Sequence, residues 1–449
     1  MADVRFDAFR KALIFVAAVW IAGDGSQHLL GQIEGSAGQS GSKPFTATVA
    51  LREGYDSNPL TQSYQSTQDV QSSTYTSVQP SLGYNYTGLQ ADLALRYDFT
   101  GIYFPSINQS YDIQYTQAFI GRYTYAFDPR VQLTISDNFI YSEQPIVTLV
   151  TAGLAPLTQT SINNLGTIQG DYRVTDRLSM VTRWNNTILN ADGPGSYNND
   201  GTINSGSSSE SNYMNNGAFQ QFRLDFTPET VGTFSVDYQI YDYQSDQSYR
   251  DNQQVAFSLG ADHTFTPTIF FSGRAGIQLN DNYGLSDSTV LGEGGLGSGE
   301  LEIEAYPFAA ISSTWNYDQR SFVSGGLSVA VQQSNLTTTS DSEAYTINMN
   351  WDHSFSDKFS VIQSMFMNFA VFTPQLTQQQ STALTGTYQG SGQQTTISYQ
   401  CKFAYQIYPY LSTEFGWSYT SYGSYFDLNN GNGGSYTRNQ VYIGLRGTY

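Results

Sequence analysis

The chain has one cysteine, Cys401, in 449 residues, so an intrachain disulfide is excluded and no Cys–Cys or Cys–His metal spacing exists. Basic residues are scarce too: 19 Lys and Arg stand against 38 Asp and Glu, a formal charge of −19. Nucleic-acid partners need clustered basic residues, so that balance argues against them. Only three histidines are present. His28 falls near the N-terminal segment, while His263 and His353 sit on outward faces of alternating runs, so a hydrolase-type His–nucleophile pairing has no support. Long apolar runs are also missing, with one exception. Arg5, Arg10 and Lys11 precede ALIFVAAVWIAG, after which Gly23, Gly25 and Ser26 follow. That is a secretory signal pattern, too short to span a bilayer as a helix. Residues 1–31 are expected to be a signal peptide and 32–44 a short periplasmic segment. No cysteine follows the run, which argues against a lipoprotein.

What is abundant is aromatic and small: 34 Tyr, 27 Phe and 41 Gly, with only 13% charged residues. Mean hydropathy is −0.36, which at face value describes a soluble protein. Strands that alternate apolar and polar average to the same value even when one face meets lipid. The stretch GADHTFTPTIFFSGRAGIQ (260–278) shows such alternation. Ala261, His263 and Phe265 point one way and Asp262 and Thr264 the other. After Thr-Pro-Thr, Phe271, Gly273, Ala275 and Ile277 share a face opposite Ser272, Arg274 and Gln278. The same layout recurs in TYAFDPRVQL, DYRVTDRLSM, LDFTPETVGTF, TWNYDQRSFV, HSFSDKFSV and YQIYPYLST. Asp, Pro and Thr suit the tight turn because they fix φ or bond their own backbone.

Between these short turns lie long connections rich in Gly, Asn, Ser and Asp, at 55–72, 144–160, 190–210, 282–300, 373–393 and 423–436. Shorter ones sit near 104–110, 244–249 and 334–341. Short and long connections alternate strictly, which predicts about eighteen strands with eight short turns and nine loops. The expected fold is all-β: a transmembrane antiparallel up-and-down barrel over 45–449, with short periplasmic turns and long extracellular loops. Closure of first on last strand removes every edge, as lipid requires. Aromatics beside the short turns (Tyr86, Tyr125, Phe127, Tyr172, Phe226, Phe265, Trp315, Tyr317, Phe355) fit an interfacial girdle. The C-terminal VYIGLRGTY puts Val441, Ile443, Leu445 and Tyr449 on one face, like the terminal strand by which bacterial barrels are recognised for assembly. Tyr449 is the candidate assembly signal.

Parity assigns the inward face. Candidate lumen-lining cations are Arg96, Arg122, Arg173, Arg183, Arg223, Arg274, Lys402 and Arg446. The acids are Asp92, Asp112, Asp171, Asp225, Asp237, Asp352 and Glu414. The signs nearly balance, which predicts a network of wall ion pairs and little ion preference. A barrel of this size leaves an aqueous lumen unless something fills it. One loop is too apolar for free display: 143–160 carries Ile146, Val147, Leu149, Val150, Leu154 and Leu157. It is expected either to fold into the lumen as a constriction or to pack against a neighbouring subunit. Two misfits stand out. Asp137 falls on the lipid face by parity, which suggests a bulge or a misjudged strand near it, and Pro307 sits in a strand, near its outer end. No loop matches an EF-hand spacing, and no metal or cofactor is expected. Cys401 faces outward and reads as a small hydrophobe.

The first strand, FTATVALREGYDSNPL, resembles the start of the barrel in the beta-barrel porin-2 family of outer-membrane proteins. There, Gly-Tyr-Asp-Asp-Asn or a variant follows a short strand. The matching words here are Gly54, Tyr55, Asp56, Ser57 and Asn58, with Ser where Asp is common. Family members are often associated with exopolysaccharide loci, so the resemblance implies polymer export beside passive diffusion. Alginate-export barrels are similar in strand number, but their lumen is strongly basic. Three functions follow as expectations: a porin-like channel for small hydrophilic solutes, an exopolysaccharide-export channel, or a structural or adhesive barrel with a closed lumen. None is an enzyme. Expected partners are outer-membrane lipids and lipopolysaccharide, the barrel-assembly machinery and the transported solute or polysaccharide, with a homo-oligomer possible and nucleic acid excluded. The bacterial outer membrane is the expected location.

Overall fold

The computed structural model describes residues 44–61, 70–107, 112–143, 146–150, 153–157, 160–192, 212–243, 251–282, 303–333, 341–372, 392–426 and 435–449. The expected signal peptide and most of the segment after it lie outside these. Among the described residues there are twenty strands: β1 (Phe45–Asp56), β2 (Ser73–Thr87), β3 (Ala91–Tyr103), β4 (Ile113–Asp128), β5 (Val131–Ser142), β6 (Ile146–Val150), β7 (Gly153–Leu157), β8 (Thr160–Arg173), β9 (Leu178–Asp192) and β10 (Tyr213–Thr227). They continue with β11 (Thr230–Tyr243), β12 (Asn252–Thr266), β13 (Ile269–Asp281), β14 (Glu304–Asp318), β15 (Ser321–Gln333), β16 (Asp341–Ser354), β17 (Phe359–Phe372), β18 (Gly392–Tyr408), β19 (Leu411–Phe426) and β20 (Ser435–Thr448).

Eighteen of these form one sheet in which each strand pairs antiparallel with its chain neighbour, and β1 pairs with both β2 and β20. The sheet therefore closes on itself. β6 and β7 form a separate two-stranded hairpin between β5 and β8. The turns fall where alternation breaks at Asp, Pro and Thr. Asp128 caps its turn by accepting from Arg130 N (2.7 Å) and Val131 N (3.0 Å). Thr175 Oγ1 does the same for Arg177 N and Leu178 N. Several turns add a register shift just before the reversal, at Ala126/Asp128, Asp225/Thr227, Thr264/Thr266 and Asn316/Asp318.

The outward face is apolar along most of the wall, with Val49, Leu51, Leu82, Ile135, Leu259 and Ile311 exposed. Next to the turns it becomes aromatic. Tyr86, Phe127, Tyr172, Phe226, Phe265, Trp315 and Phe355 are all exposed. Tyr125 meets Phe127 edge-on at 4.9 Å and Trp315 lies 5.3 Å from Tyr317. His353, between Trp351 and Phe355 on this face, is hydrogen-bonded to Tyr317 Oη through Nδ1 at 2.8 Å.

Inside, the extracellular half holds compact aromatic clusters. Tyr75 and Phe104 pack at 5.7 Å with Ile107, against Leu60, Ile102 and Tyr442. Tyr213 packs between Tyr241 and Tyr243. Parts of the β1–β2 and β3–β4 connections thus fold inward as packed structure.

Both sequence misfits resolve. Asp137 sits in an unbroken register, opposite Gly121 on one side and Gly166 on the other. No bulge turns it inward: the acid does face outward, correcting the expectation of a bulge. Pro307 pairs with Ile277 on β13, but β14 and β15 pair only from Ala309 and Val329 down to their turn. A proline cannot donate to a ladder. The side-chain amide of Gln278 fills the gap, donating to Val331 O and accepting from Val331 N, both at 3.1 Å, and donating also to Gln254 Oε1 (2.9 Å).

Candidate transport lumen and its seam

Alternation from Val49, Leu51 and Tyr55 outward places Arg52 and Asp56 of β1 inward. Both cross the seam where the first and last strands meet. Near the periplasmic end, Arg52 Nη2 reaches Glu414 Oε2 of β19 at 2.8 Å, passing over β20 at Gly444. A Cβ there would lie 2.7 Å from Arg52 Cγ, so glycine is what permits the crossing. Arg446 Nε (2.5 Å) and Lys402 Nζ (3.5 Å) approach the other oxygen of the same carboxylate, which is 3% exposed. Arg52 also stacks over the Tyr442 ring at 4.5 Å.

At the extracellular end, Arg438 of β20 grips Asp56 with Nη2 at 2.6 Å and Nε at 2.9 Å to the same oxygen, and Gln440 Nε2 adds a third donor at 2.8 Å. The Gly-Tyr-Asp-Ser-Asn words lie at this point. Asp56 Oδ1 accepts from Asn58 N (3.0 Å), Ser57 N donates to Asn439 O (2.9 Å), and Asn439 N returns to Ser57 Oγ (2.8 Å). Tyr75 lies over Gly54, where a Cβ would be 2.6 Å from its ring. In this chain the words form a clasp between the two ends of the barrel.

By register, the strand-borne charged residues named from the sequence share the face opposite the exposed apolar side chains. Arg223 pairs with Asp262 (3.1 Å), and Arg96 with Asp98 (2.8 Å). Arg183 stacks over Phe219 at 4.6 Å. Asp237 accepts from Gln239 (2.6 Å), and Asp171 accepts from Gln169 (3.2 Å). Asp92, Arg122, Asp225 and Arg274 sit along the same face. Asp112 lies just before β4 at the rim, its backbone oxygen accepting from Phe104 N (2.7 Å). Arg173 lies at the turn, bonded to Asp176 O (3.0 Å). Asp352, Arg52, Arg96, Lys402 and Arg446 line one cavity of about 520 Å³ inside the barrel.

Sequence reasoning left out Arg52 and Arg438 and named Asp56 only as part of the Gly-Tyr-Asp-Ser-Asn words, not as an inward charge. Parity could have found them, but nothing in the chain said that the two ends meet there. The side chains of Ile146, Val147, Leu149, Val150, Leu154 and Leu157 lie outside the described ones. Their backbone forms the β6–β7 hairpin, and β7 comes close to β17. In the closed order β17 stands about half the circumference from β5 and β8, so the hairpin's backbone reaches from one side of the barrel toward the other.

Eighteen antiparallel strands closed end to end, apolar and aromatic outside and charged inside, define a bacterial outer-membrane β-barrel. No family model matches the chain, and no curated protein matches it. Solved structures similar to it include the siderophore receptor PirA from Acinetobacter baumannii, at 8% identity and TM-score 0.44 over 92% of this chain and 81% of that one. The outer membrane protein opdK from Pseudomonas aeruginosa is similar at 8% identity and TM-score 0.42, over 90% and 99%. The FrpB iron transporter from Neisseria meningitidis matches at 9% identity and TM-score 0.43, over 91% and 81%. Likenesses this distant leave the chain's own strands and faces to carry the assignment.

Proposed function

We propose that this barrel is a porin-like channel for passive diffusion of small hydrophilic solutes, narrowed by the β6–β7 hairpin. The observation that carries the reading is the hairpin's backbone, which leaves the wall between β5 and β8 and reaches toward β17. A polar, charge-balanced wall supports it. Opposite charges alternate at close range, as in Arg223–Asp262 and Arg96–Asp98, so neither anions nor cations gain a long favourable path. Membership of the beta-barrel porin-2 family goes with this reading, resting on residues 54–58. The barrel would sit among outer-membrane lipids and lipopolysaccharide, with the assembly machinery reading Tyr449.

The test is single-channel conductance of the refolded, heat-modifiable protein in a planar bilayer at high salt. Stable open steps are expected, with a reversal potential near zero in a salt gradient. Deleting 147–156 should raise the conductance of a barrel that still folds. An unchanged conductance after that deletion removes the hairpin as the constriction. A folded barrel that stays silent overturns the open channel and favours a gated polymer exporter.

A further inference from the structure

A barrel wall in hydrocarbon must be apolar at mid-span, because lipid tails offer no hydrogen bonds. On β12 to β16 it is: the outward mid-strand residues include Phe257, Leu259, Ile277, Ile311, Leu327 and Ile347. On β4, β5, β8, β9 and β10 the outward face also carries Phe119, Ile135, Phe139, Trp184, Ile188 and Met214, but one row among them is polar. Directly paired outward positions run Gly121, Asp137, Gly166, Asn186, Asn216 across these five strands. No apolar side chain occurs in that row. Gly121, Asp137, Gly166 and Asn186 lie well inside their strands, while Asn216 is near the extracellular start of β10.

Toward the periplasm the next row is apolar (Tyr123, Ile135, Ile168, Trp184, Ala218), and a second polar pair follows beyond it. Thr182 Oγ1 donates to Gln220 Oε1 at 2.6 Å, beside Gly170. Asn186 Nδ2 donates to Asn216 Oδ1 at 3.0 Å. Asn186 Nδ2 also donates to Asn215 O (3.5 Å) and Gln220 Nε2 to Gln221 O (3.4 Å), which leaves the Asn216 amide hydrogens without a partner among the described residues. The Asp137 carboxylate makes no hydrogen bond among the described residues. Its flanking glycines, Gly121 and Gly166, leave the space beside it open: a Cβ on Gly166 would stand 3.6 Å from Asp137 Oδ1, and one on Gly121 would stand 3.5 Å from Leu95 Cδ2. Small residues of this kind let a second backbone approach closely within a membrane.

We infer that the outward strip of β4, β5, β8, β9 and β10 is where a second copy of this chain docks, so that the protein is a homo-oligomer in the membrane. The occupant follows from the chemistry of the strip. Asn and Gln amides carry both donors and acceptors, so the strip is complementary to itself. Asp137 can only accept when ionised, and the donors it needs are on Asn216 of a neighbouring copy. Lipid headgroups and lipopolysaccharide sugars stay at the interface and do not reach mid-span. The inference rests on the membrane assignment and not on the channel reading, so a silent barrel leaves it standing.

The test uses full-length protein carrying Asn186→Cys in a Cys401→Ser background, treated with a short bis-maleimide in intact outer membranes. A cross-linked band at twice the chain's mass, containing only this chain, is expected. The second measurement is native mass in mild detergent. Wild type should be a multiple of one chain, and D137L/N186L/N216L should fall to a single chain while keeping its heat-modifiable shift on unheated gels. No cross-link, a cross-link to a different polypeptide, or a wild type that is a single chain in both measurements overturns the second copy. A triple-leucine barrel that stays oligomeric overturns the strip as its seat. If that variant fails to fold, the cross-link through Asn186→Cys alone decides.

Discussion

Arg52 reaches Glu414 at 2.8 Å by passing over Gly444, so a side chain of the first strand pairs with one of the penultimate strand across the last. The barrel's closure is therefore held by more than the β1–β20 ladder. Glu414 also serves Lys402 and Arg446, and one carboxylate neutralises part of three cations.

Glu414→Gln should destabilise the barrel strongly. It keeps the volume and removes the countercharge, leaving three cations together at a nearly dry site. Breaking a buried pair from one side typically costs about 3–5 kcal/mol. Urea unfolding in lipid vesicles, followed by tryptophan fluorescence, measures the loss. The same variant should move the reversal potential toward anion preference.

Gly444→Ala should also destabilise, by roughly 1–3 kcal/mol, as overpacking generally does. Its new Cβ would lie 2.7 Å from both Arg52 Cγ and Leu51 O, and the second of these is backbone that cannot swing away. Gly423→Ala is the control. Nothing lies within 4 Å of its Cβ position, so the unfolding midpoint should stay close to wild type.

Gln278→Leu should expose the weak point that Pro307 makes. Val331 N and O lose the amide that satisfies both, and each unsatisfied buried group costs about 1–3 kcal/mol. Hydrogen exchange at Val331 should accelerate while amides near the β14–β15 turn keep their protection. Equal protection at Val331 in both proteins would show that the amide bridge contributes nothing there.

Asp251, just before β12 at the extracellular mouth, gives a pH-dependent contact. Burial pushes its carboxyl up to about 6. The hydrogen bond from Tyr243 N (2.7 Å) opposes that, and nearby Asp242 adds to it. The folded state therefore holds this proton between about pH 4, the ordinary aspartate value, and pH 6. Where the folded state binds the extra proton, stability falls as pH rises. Asp251 thus favours the folded mouth most below pH 4, and the advantage is gone above pH 6. The Tyr243 amide shift, followed by NMR in nanodiscs, should titrate near 6. A midpoint near 4 would sink this assignment.

The architecture was legible because a strand's side chains alternate with period two, so one sequence writes both faces of the wall at once. Turn chemistry then marked the short reversals: DPR, TPE, TPT and SDK each fall between strands that pair in the structure. Asp137 shows how far parity can be trusted. The outward placement was correct and only the expectation of a bulge was wrong, because the acid sits in a strip whose neighbours are glycine and asparagine from four other strands. The hairpin at 146–157 reads in the sequence as an apolar loop. Its composition marks it as buried, but its path depends on the diameter of the closed barrel. The Asp56–Arg438 clasp and the Arg52–Glu414 bridge were out of reach for the same reason. Each joins residues more than 360 positions apart. Local sequence determines which way a side chain points, through backbone geometry that repeats every two residues. Which side chains it then meets is decided only when the sheet closes, because closure sets which distant strands become neighbours.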